Sequence, residues 1–322
     1  MSLFVRAADF VMVTRPVVLV SAWGFCALGF RSAVRVGLQL GIIESARQAT
    51  LFDYCAILIF SLSVAAVFVI NQIADIDVDR KNGGMPLIAG GIVSVKQAWG
   101  VAGICATVSI LVPIFFGARL LAAAAFITLV VGYLYSFKPL RFSGRPIADF
   151  ICNAAGYGII AFGVGWIVAG KCISSSFFVL SFLPYLLMMS GGSISSTLPD
   201  MAGDKEVGKT TTAVVLGILP AHTLALSFLL AAAFIAFYVN DSAALLCALV
   251  PVPLYILLYF RRTRAVMEAT YKIGGALCVA VACASMPLLL PLAVIVFVAT
   301  RLYFRMRHGV SYPSLVPVRS DA

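Results

Sequence analysis

The chain has 322 residues, 62% of them hydrophobic and only 11% charged, and its mean hydropathy is +1.06. That balance excludes an ordinary soluble domain, and apolar runs longer than the roughly 20 residues that cross a bilayer mark a polytopic helical membrane protein. The net charge of +10 comes from bases scattered at the ends of those runs; it reads as topology anchoring and contact with membrane lipid, not as a nucleic-acid surface.

A transmembrane barrel would show segments of about 10 residues with alternating polarity, and the sequence has none. The start, MSLFVRAADFVMVTRP, has no short apolar core followed by a small-residue cleavage site, so no removable signal peptide is expected. Apolar windows between polar or Gly/Pro breaks predict about nine spans. They cover 10–30, 52–74, 97–117, 119–136, 147–169, 175–197, 211–238, 242–260 and 273–303. The last is long and holds Pro287 and Pro291, which mark it for a kink or a split.

The loops alternate in character along the chain. Those after even-numbered spans carry Arg80, Lys81 and Lys96; Lys138, Arg141 and Arg145; Lys205 and Lys209; and Arg261, Arg262, Arg264 and Lys272. The opposite loops hold Arg31, Arg35 and Arg47, then Arg119, then Lys171. The positive-inside rule puts the richer loops and the N-terminus in the cytoplasm, in an inner or plasma membrane. The basic tail, Arg301, Arg305 and Arg307, argues against an external C-terminus. Eight cysteines form no CxxC pair, and most lie in apolar runs where Cys acts as a small hydrophobe. With His222 and His308 the only histidines, neither a zinc site nor a His-based triad is expected.

The 13 acidic residues are concentrated. NQIADIDVD ends the second span with Asp75, Asp77 and Asp79; PDMAGDKE ends the sixth with Asp200, Asp204 and Glu206. A carboxylate beside hydrocarbon is costly and marks a functional site. At about 1.5 Å per residue, Asn71, Asp75 and Asp79 form a helical stripe about 12 Å long, from which Asp77 projects away. Asp200 and Asp204 repeat the four-residue spacing. Two facing carboxylate stripes need cations between them. Oxygen ligands without His or Cys select magnesium, which keeps open positions for phosphate oxygens. Lys81, Lys138, Arg141, Arg145, Lys205 and Lys209 stand near in sequence, and carboxylate, magnesium and base together describe a diphosphate site. Gly203 and Gly208 flank Asp204, and Gly83, Gly84, Gly90 and Gly91 follow Asp79; glycine permits the tight backbone that folds a loop over a ligand.

NQIADIDVD resembles the first aspartate motif of the UbiA superfamily of intramembrane prenyltransferases, and PDMAGDKEVGKTT resembles the second. YSFKPLRFSGRP between them is similar to the family's Tyr- and Lys/Arg-containing loop, and Arg15-Pro16 to an Arg-Pro common at the first span. The resemblance covers essentially the whole chain. It implies one domain over 1–322: about nine helices in a bundle around a central cavity. It also implies Mg²⁺ held by Asn71, Asp75, Asp79, Asp200 and Asp204, gripping the diphosphate of an isoprenyl donor. Lys138 and Arg141 would bind that diphosphate, with Tyr135 beside them. One departure stands out: where many members have Lys-Pro-x-Arg-Pro, this chain reads NGGMPLIAGG, with no base between Lys81 and Lys96.

The expected activity is transfer of an isoprenyl group to a lipophilic acceptor, an aromatic one among the options, in a dry cavity. Phe68, Tyr133, Phe150, Tyr157, Phe162, Trp166 and Tyr185 are aromatic candidates for steadying a cation. Asp149 and Asn153, four apart in span five, are read as a polar stripe near the acceptor or Lys138, or as a helix-start acid. Glycines at 156, 158, 163, 165, 191 and 192 are read as close helix packing. A terpene cyclase on the same scaffold is the alternative. A cation transporter would put its acids near the midplane, whereas these lie at span ends.

Overall fold

The computed structural model describes residues 3–41, 47–82, 86–171, 173 and 176–313. Gly83, Gly84, Cys172 and the side chain of Lys81 lie outside the described residues. All regular structure among the described residues is helical, and ten of the helices are long and apolar enough to cross a membrane. In chain order they are Pro16–Gln39, Leu51–Ala74, Val95–Phe115, Arg119–Ser136, Ala148–Val168, Ser176–Glu206, Ile218–Tyr238, Ser242–Phe260, Arg264–Ser285 and Leu289–His308, called spans one to ten.

The count is ten because the expected 273–303 run is two helices broken at Met286–Leu288. Pro287 lacks the N–H that would continue the ladder and disfavours helical backbone in the residue before it; Met286 accordingly has φ −132° and ψ 79°. Pro291 sits in the first turn of span ten, where a missing N–H costs nothing. A proline also moves the start of span one. The run expected at 10–30 is a short helix, Leu3–Met12, followed by a helix that begins at Pro16, with Arg15 in the left-handed region at φ 54°.

The residues group into two compact units. The first comprises Met1–Trp23, Ala49–Arg141 and Leu288–Tyr312. Span two is its centre and packs along spans three and four. Gly132 of span four meets Val67 of span two so closely that a β-carbon would strike the valine methyls. The short N-terminal helix is tied to span ten through buried Asp9, which accepts from the Tyr303 hydroxyl and pairs with Arg307 at 3.4 Å. Gln72, near the end of span two, donates its amide to the Val13 carbonyl at 2.8 Å.

The second unit contains Gly24–Gln48 and Phe142–Pro287. Span six is central and packs on spans five, seven and nine. Three of the six glycines fit the packing expectation: a β-carbon on Gly158, Gly165 or Gly191 would collide with backbone of Leu186, Cys26 or Ala225. Gly163 has only an ordinary contact, with Phe178, and Gly156 and Gly192 face open space. Phe162, Trp166 and Tyr185 are fully buried, and with Phe178 they form an aromatic core with ring centroids 5.2 to 6.3 Å apart. Of the other aromatic candidates, Phe150 is buried, Tyr133 is exposed, and Phe68 and Tyr157 are half-buried.

Arg31 and Arg35, read from the sequence as loop bases, are part of span one. They pair with Asp241 at 2.9 and 3.6 Å. Asp241 is buried and also accepts from Ser32, the Tyr185 hydroxyl and the Ala244 N–H. Two cations and three further donors surround it, the partners that offset the cost of removing a carboxylate from water.

Candidate active site

The first aspartate motif straddles a helix break. Span two ends at Ala74, Asp75 takes a non-helical φ/ψ of −102°/15°, and a short helix resumes over Ile76–Asn82. The one-residue interruption leaves the helical register intact. Asp75 N–H bonds the Asn71 carbonyl at 2.9 Å and Asp79 N–H bonds the Asp75 carbonyl at 2.8 Å. The Asn71 amide donates to Asp75 Oδ2 at 3.3 Å. Asp77 diverges as the spacing predicts: its side chain is 94% exposed and pairs only loosely with Arg80 at 3.8 Å, against 14% exposure for Asp75.

The basic loop reaches the same carboxylate. Span four ends with half-buried Tyr135 and buried Ser136, and exposed Lys138 follows. The chain then folds back so that Arg141 N–H bonds the Phe137 carbonyl at 2.8 Å, with Arg141 at φ 40°. Arg141 Nη2 lies 2.9 Å from Asp75 Oδ1. Asn71, Asp75 and Arg141 are therefore one contact set, and Lys138 and Tyr135 lie on the segment that delivers the arginine. Arg15 lies near Tyr312, whose phenol is lifted above its usual range by burial, with Arg15 opposing the shift.

In the second unit, Asp200 closes a 3-10 turn, Leu198–Asp200, and immediately precedes the short helix Met201–Glu206 that carries Asp204. Gly208, at φ 75°, turns the chain so that Lys209 N–H returns to the Asp204 carbonyl at 2.9 Å. This is a left-handed turn that glycine adopts without a steric penalty. Thr210 then bonds the Gly144 carbonyl through both its N–H, at 3.1 Å, and its hydroxyl, at 3.0 Å. Lys205 and Arg145 are exposed.

Span nine contributes Arg264 and Lys272, read from the sequence only as anchors, together with Glu268, which the sequence analysis did not single out. Arg264 Nη2 lies 3.7 Å from Asp200 Oδ1, and its Nε donates to Glu268 at 2.9 Å. Glu268, on the buried side of the helix, also takes Lys272 Nζ at 2.6 Å. The signal in the sequence was the Arg-x-x-x-Glu-x-x-x-Lys spacing, which puts all three on one helical face.

Asp149 is buried and bonded, not part of an open polar stripe. Thr212 gives its N–H to Asp149 Oδ2 at 2.7 Å and its hydroxyl to Oδ1 at 2.6 Å, and the Ile147 N–H bonds the Thr212 hydroxyl oxygen at 2.7 Å. This knot joins the segment after the second motif to the start of span five. Asn153 stays close, donating to the Asp149 carbonyl at 3.3 Å.

These donors suit a hard cation. Each aspartate pair offers carboxylate oxygen, with a carboxamide beside the first and no His or Cys in either motif. Within either unit, among the described residues, no three Asp, Glu, His or Cys side chains are gathered into a closed metal cage. Magnesium does not require one, because it keeps water and takes phosphate oxygens to complete its shell. Each leading aspartate also has a guanidinium at hand, Arg141 for Asp75 and Arg264 for Asp200.

The UbiA prenyltransferase family model matches residues 36–272. Among characterised proteins, the chain is 31% identical over 156 residues to a 2-acylphloroglucinol 4-prenyltransferase of Humulus lupulus, covering 46% of this chain and 37% of that protein. It is 30% identical over 157 residues to a chloroplastic homogentisate solanesyltransferase of Arabidopsis thaliana, covering 46% of this chain and 40% of that protein. The aligned part is thus well under half the length of these relatives. Among solved structures, a UbiA homolog from Archaeoglobus fulgidus bound to DMAPP and Mg²⁺ superposes with a TM-score of 0.67 at 20% identity, covering 87% of this chain and 99% of that one. A UbiA homolog from Aeropyrum pernix K1 gives 0.56 at 18% identity over 86% of this chain and 97% of that one. At such identities the likeness is one of fold.

Proposed function

The chain belongs to the UbiA prenyltransferase family, and on that premise we propose that it is a magnesium-dependent integral membrane prenyltransferase. It moves an isoprenyl group from an isoprenyl diphosphate to a lipophilic, aromatic acceptor. The observation that carries this reading is the Asn71–Asp75–Arg141 contact set: a carboxylate, a carboxamide and a guanidinium drawn from two separate segments to the end of an apolar span. Acceptor class rests on the matched relatives, which are named for phloroglucinol and homogentisate substrates. The same names favour transfer over the cyclase alternative.

We assign magnesium binding to Asn71, Asp75, Asp79, Asp200 and Asp204, and diphosphate binding to Lys138 and Arg141, with Tyr135 supporting them. Bound magnesium would neutralise charge on the departing diphosphate. Arg141 and Lys138 supply fixed positive charge to the same leaving group, whose C–O bond breaks with the electron pair going to oxygen. The allylic cation takes an electron pair from the acceptor ring, which then loses a proton. Apolar spans exclude the water that would otherwise quench the cation. We further propose that both units serve one catalytic domain over 1–322, because the family match runs through both of them.

For orientation we propose that both aspartate motifs open to the cytoplasm of an inner or plasma membrane. Ten spans return the chain to the side it started from, which agrees with the basic tail. The pairing of Arg31 and Arg35 with Asp241 removes two bases from the opposite side of the charge balance and sharpens the asymmetry.

The test is incubation of the purified protein in detergent with magnesium and a panel of allylic diphosphates, with and without aromatic acceptors. Acceptor-dependent release of diphosphate and a prenylated product is expected. Cyclic hydrocarbon without acceptor would instead identify the cyclase. No release from any donor, unchanged in Asp75→Ala, overturns both.

A further inference from the structure

We propose that Arg264, held in place by Glu268 and seconded by Lys272, binds the diphosphate of the donor at the second aspartate motif. This rests on the prenyltransferase reading and adds residues of span nine to it. The sequence raises the need: the stretch after the first motif, NGGMPLIAGG, has no base between Lys81 and Lys96. A polyanion held by carboxylate-bound cations still requires positive charge close by.

Three observations separate Arg264 from an ordinary topology anchor. Its guanidinium is oriented by two acids from different segments, with Nε on Glu268 at 2.9 Å and Nη2 at 3.7 Å from Asp200. It stands at the first residue of a 22-residue helix, where the helix dipole disfavours a cation, so those acids and not helix preference keep it there. Glu268 is mostly buried, its side chain 11% exposed, and a carboxylate in that setting is costly unless paired. The pairing is complete, with Arg264 on one oxygen and Lys272 on the other. Glu268 is thus a positioning residue that orders Arg264 beside Asp200 and holds Lys272 one turn further along the same helix.

Arg264 also has the capacity for an incoming anion. A guanidinium carries five N–H donors, and only Nε and Nη2 make these contacts. Its side chain is 66% exposed, so a phosphate oxygen can approach without prior rearrangement of the core. A diphosphate held beside Asp200 would lie within reach of the guanidinium that pairs with that carboxylate.

The probe is inorganic diphosphate titrated by calorimetry into the full-length protein in detergent at saturating magnesium, with magnesium alone titrated in parallel. Arg264→Gln weakens diphosphate binding roughly tenfold or more while magnesium alone binds no more weakly. Lys272→Gln weakens it severalfold, and Arg262→Gln, an exposed neighbour, leaves it unchanged. Glu268→Gln raises the donor KM with little change in kcat, a split that general loss of structure does not give. Diphosphate affinity equal to the parent in both Arg264→Gln and Lys272→Gln overturns the assignment, and if Arg264→Gln fails to fold, Lys272→Gln and Glu268→Gln decide it. A parent that binds diphosphate, loses it in Asp75→Asn and keeps it in the span-nine variants removes this inference alone. A parent that binds none with magnesium removes the prenyltransferase reading as well.

Discussion

Asp149 and Thr212 are bonded twice, the threonine N–H to one carboxylate oxygen at 2.7 Å and its hydroxyl to the other at 2.6 Å. They are 63 residues apart, and the pair fixes the segment after the second aspartate motif against the start of span five. In Asp149→Asn one acceptor oxygen becomes a donor, so a Thr212 donor loses its partner. The expected cost is about 1–3 kcal/mol, seen as a lower thermal midpoint in detergent. Thr212→Val removes one of the two donors to Asp149 Oδ1, the other being the Phe150 N–H, leaves the Ile147 N–H without its acceptor, and lowers the midpoint by a similar amount.

The three aspartates after span two are unequal. Asp75 holds Asn71 and Arg141, whereas Asp77 faces solvent. Asp75→Asn lowers turnover by roughly a hundredfold or more and shifts the magnesium titration to higher concentration, because the proposed ligand loses its charge. Asp77→Asn stays within about twofold, as exposed substitutions do. Equal losses in a magnesium titration of the two variants would contradict the helical-stripe assignment.

Adjacent glycines in span six give a packing test. A β-carbon at Gly191 would stand 2.7 Å from the Ala225 carbonyl oxygen, while at Gly192 it would meet nothing within 4 Å. Gly191→Ala destabilises by about 1–3 kcal/mol through overpacking. Gly192→Ala stabilises by up to about 1 kcal/mol, from helix propensity alone. Thermal midpoints of the two variants should move in opposite directions.

Asp241 follows span seven, about 30 Å of helix from the Ile218 start of that span. Asp241→Ala strands Arg31 and Arg35 and leaves the Tyr185 hydroxyl and the Ala244 N–H without their acceptor. The loss is about 3–5 kcal/mol, read as reduced yield and thermal stability. The donor KM of the folded fraction should stay unchanged, since the length of span seven separates Asp241 from the segment that follows the second aspartate motif.

Hydropathy and spacing alone determined that this is an all-helical membrane protein, where most spans begin and end, and which aspartates share a face. They also separated Asp75 from Asp77. These properties are set by neighbours within a helical turn or two, so one sequence carries them in full. The break at Pro287 was half legible: proline marks the place, but only the chain's path from span nine into span ten decides between a kink and two helices.

Only the tertiary structure decided which distant groups meet. Arg31 and Asp241 lie 210 residues apart, Asp149 and Thr212 63, and Asp75 and Arg141 66. A base at a span end reads the same in the sequence whether it anchors in lipid headgroups or closes on a buried carboxylate. For Arg31 and Arg35 the fold supplied the carboxylate. The physical reason is desolvation: an acid removed from water binds whatever cation the packing brings to it, and local sequence does not encode that cation's origin.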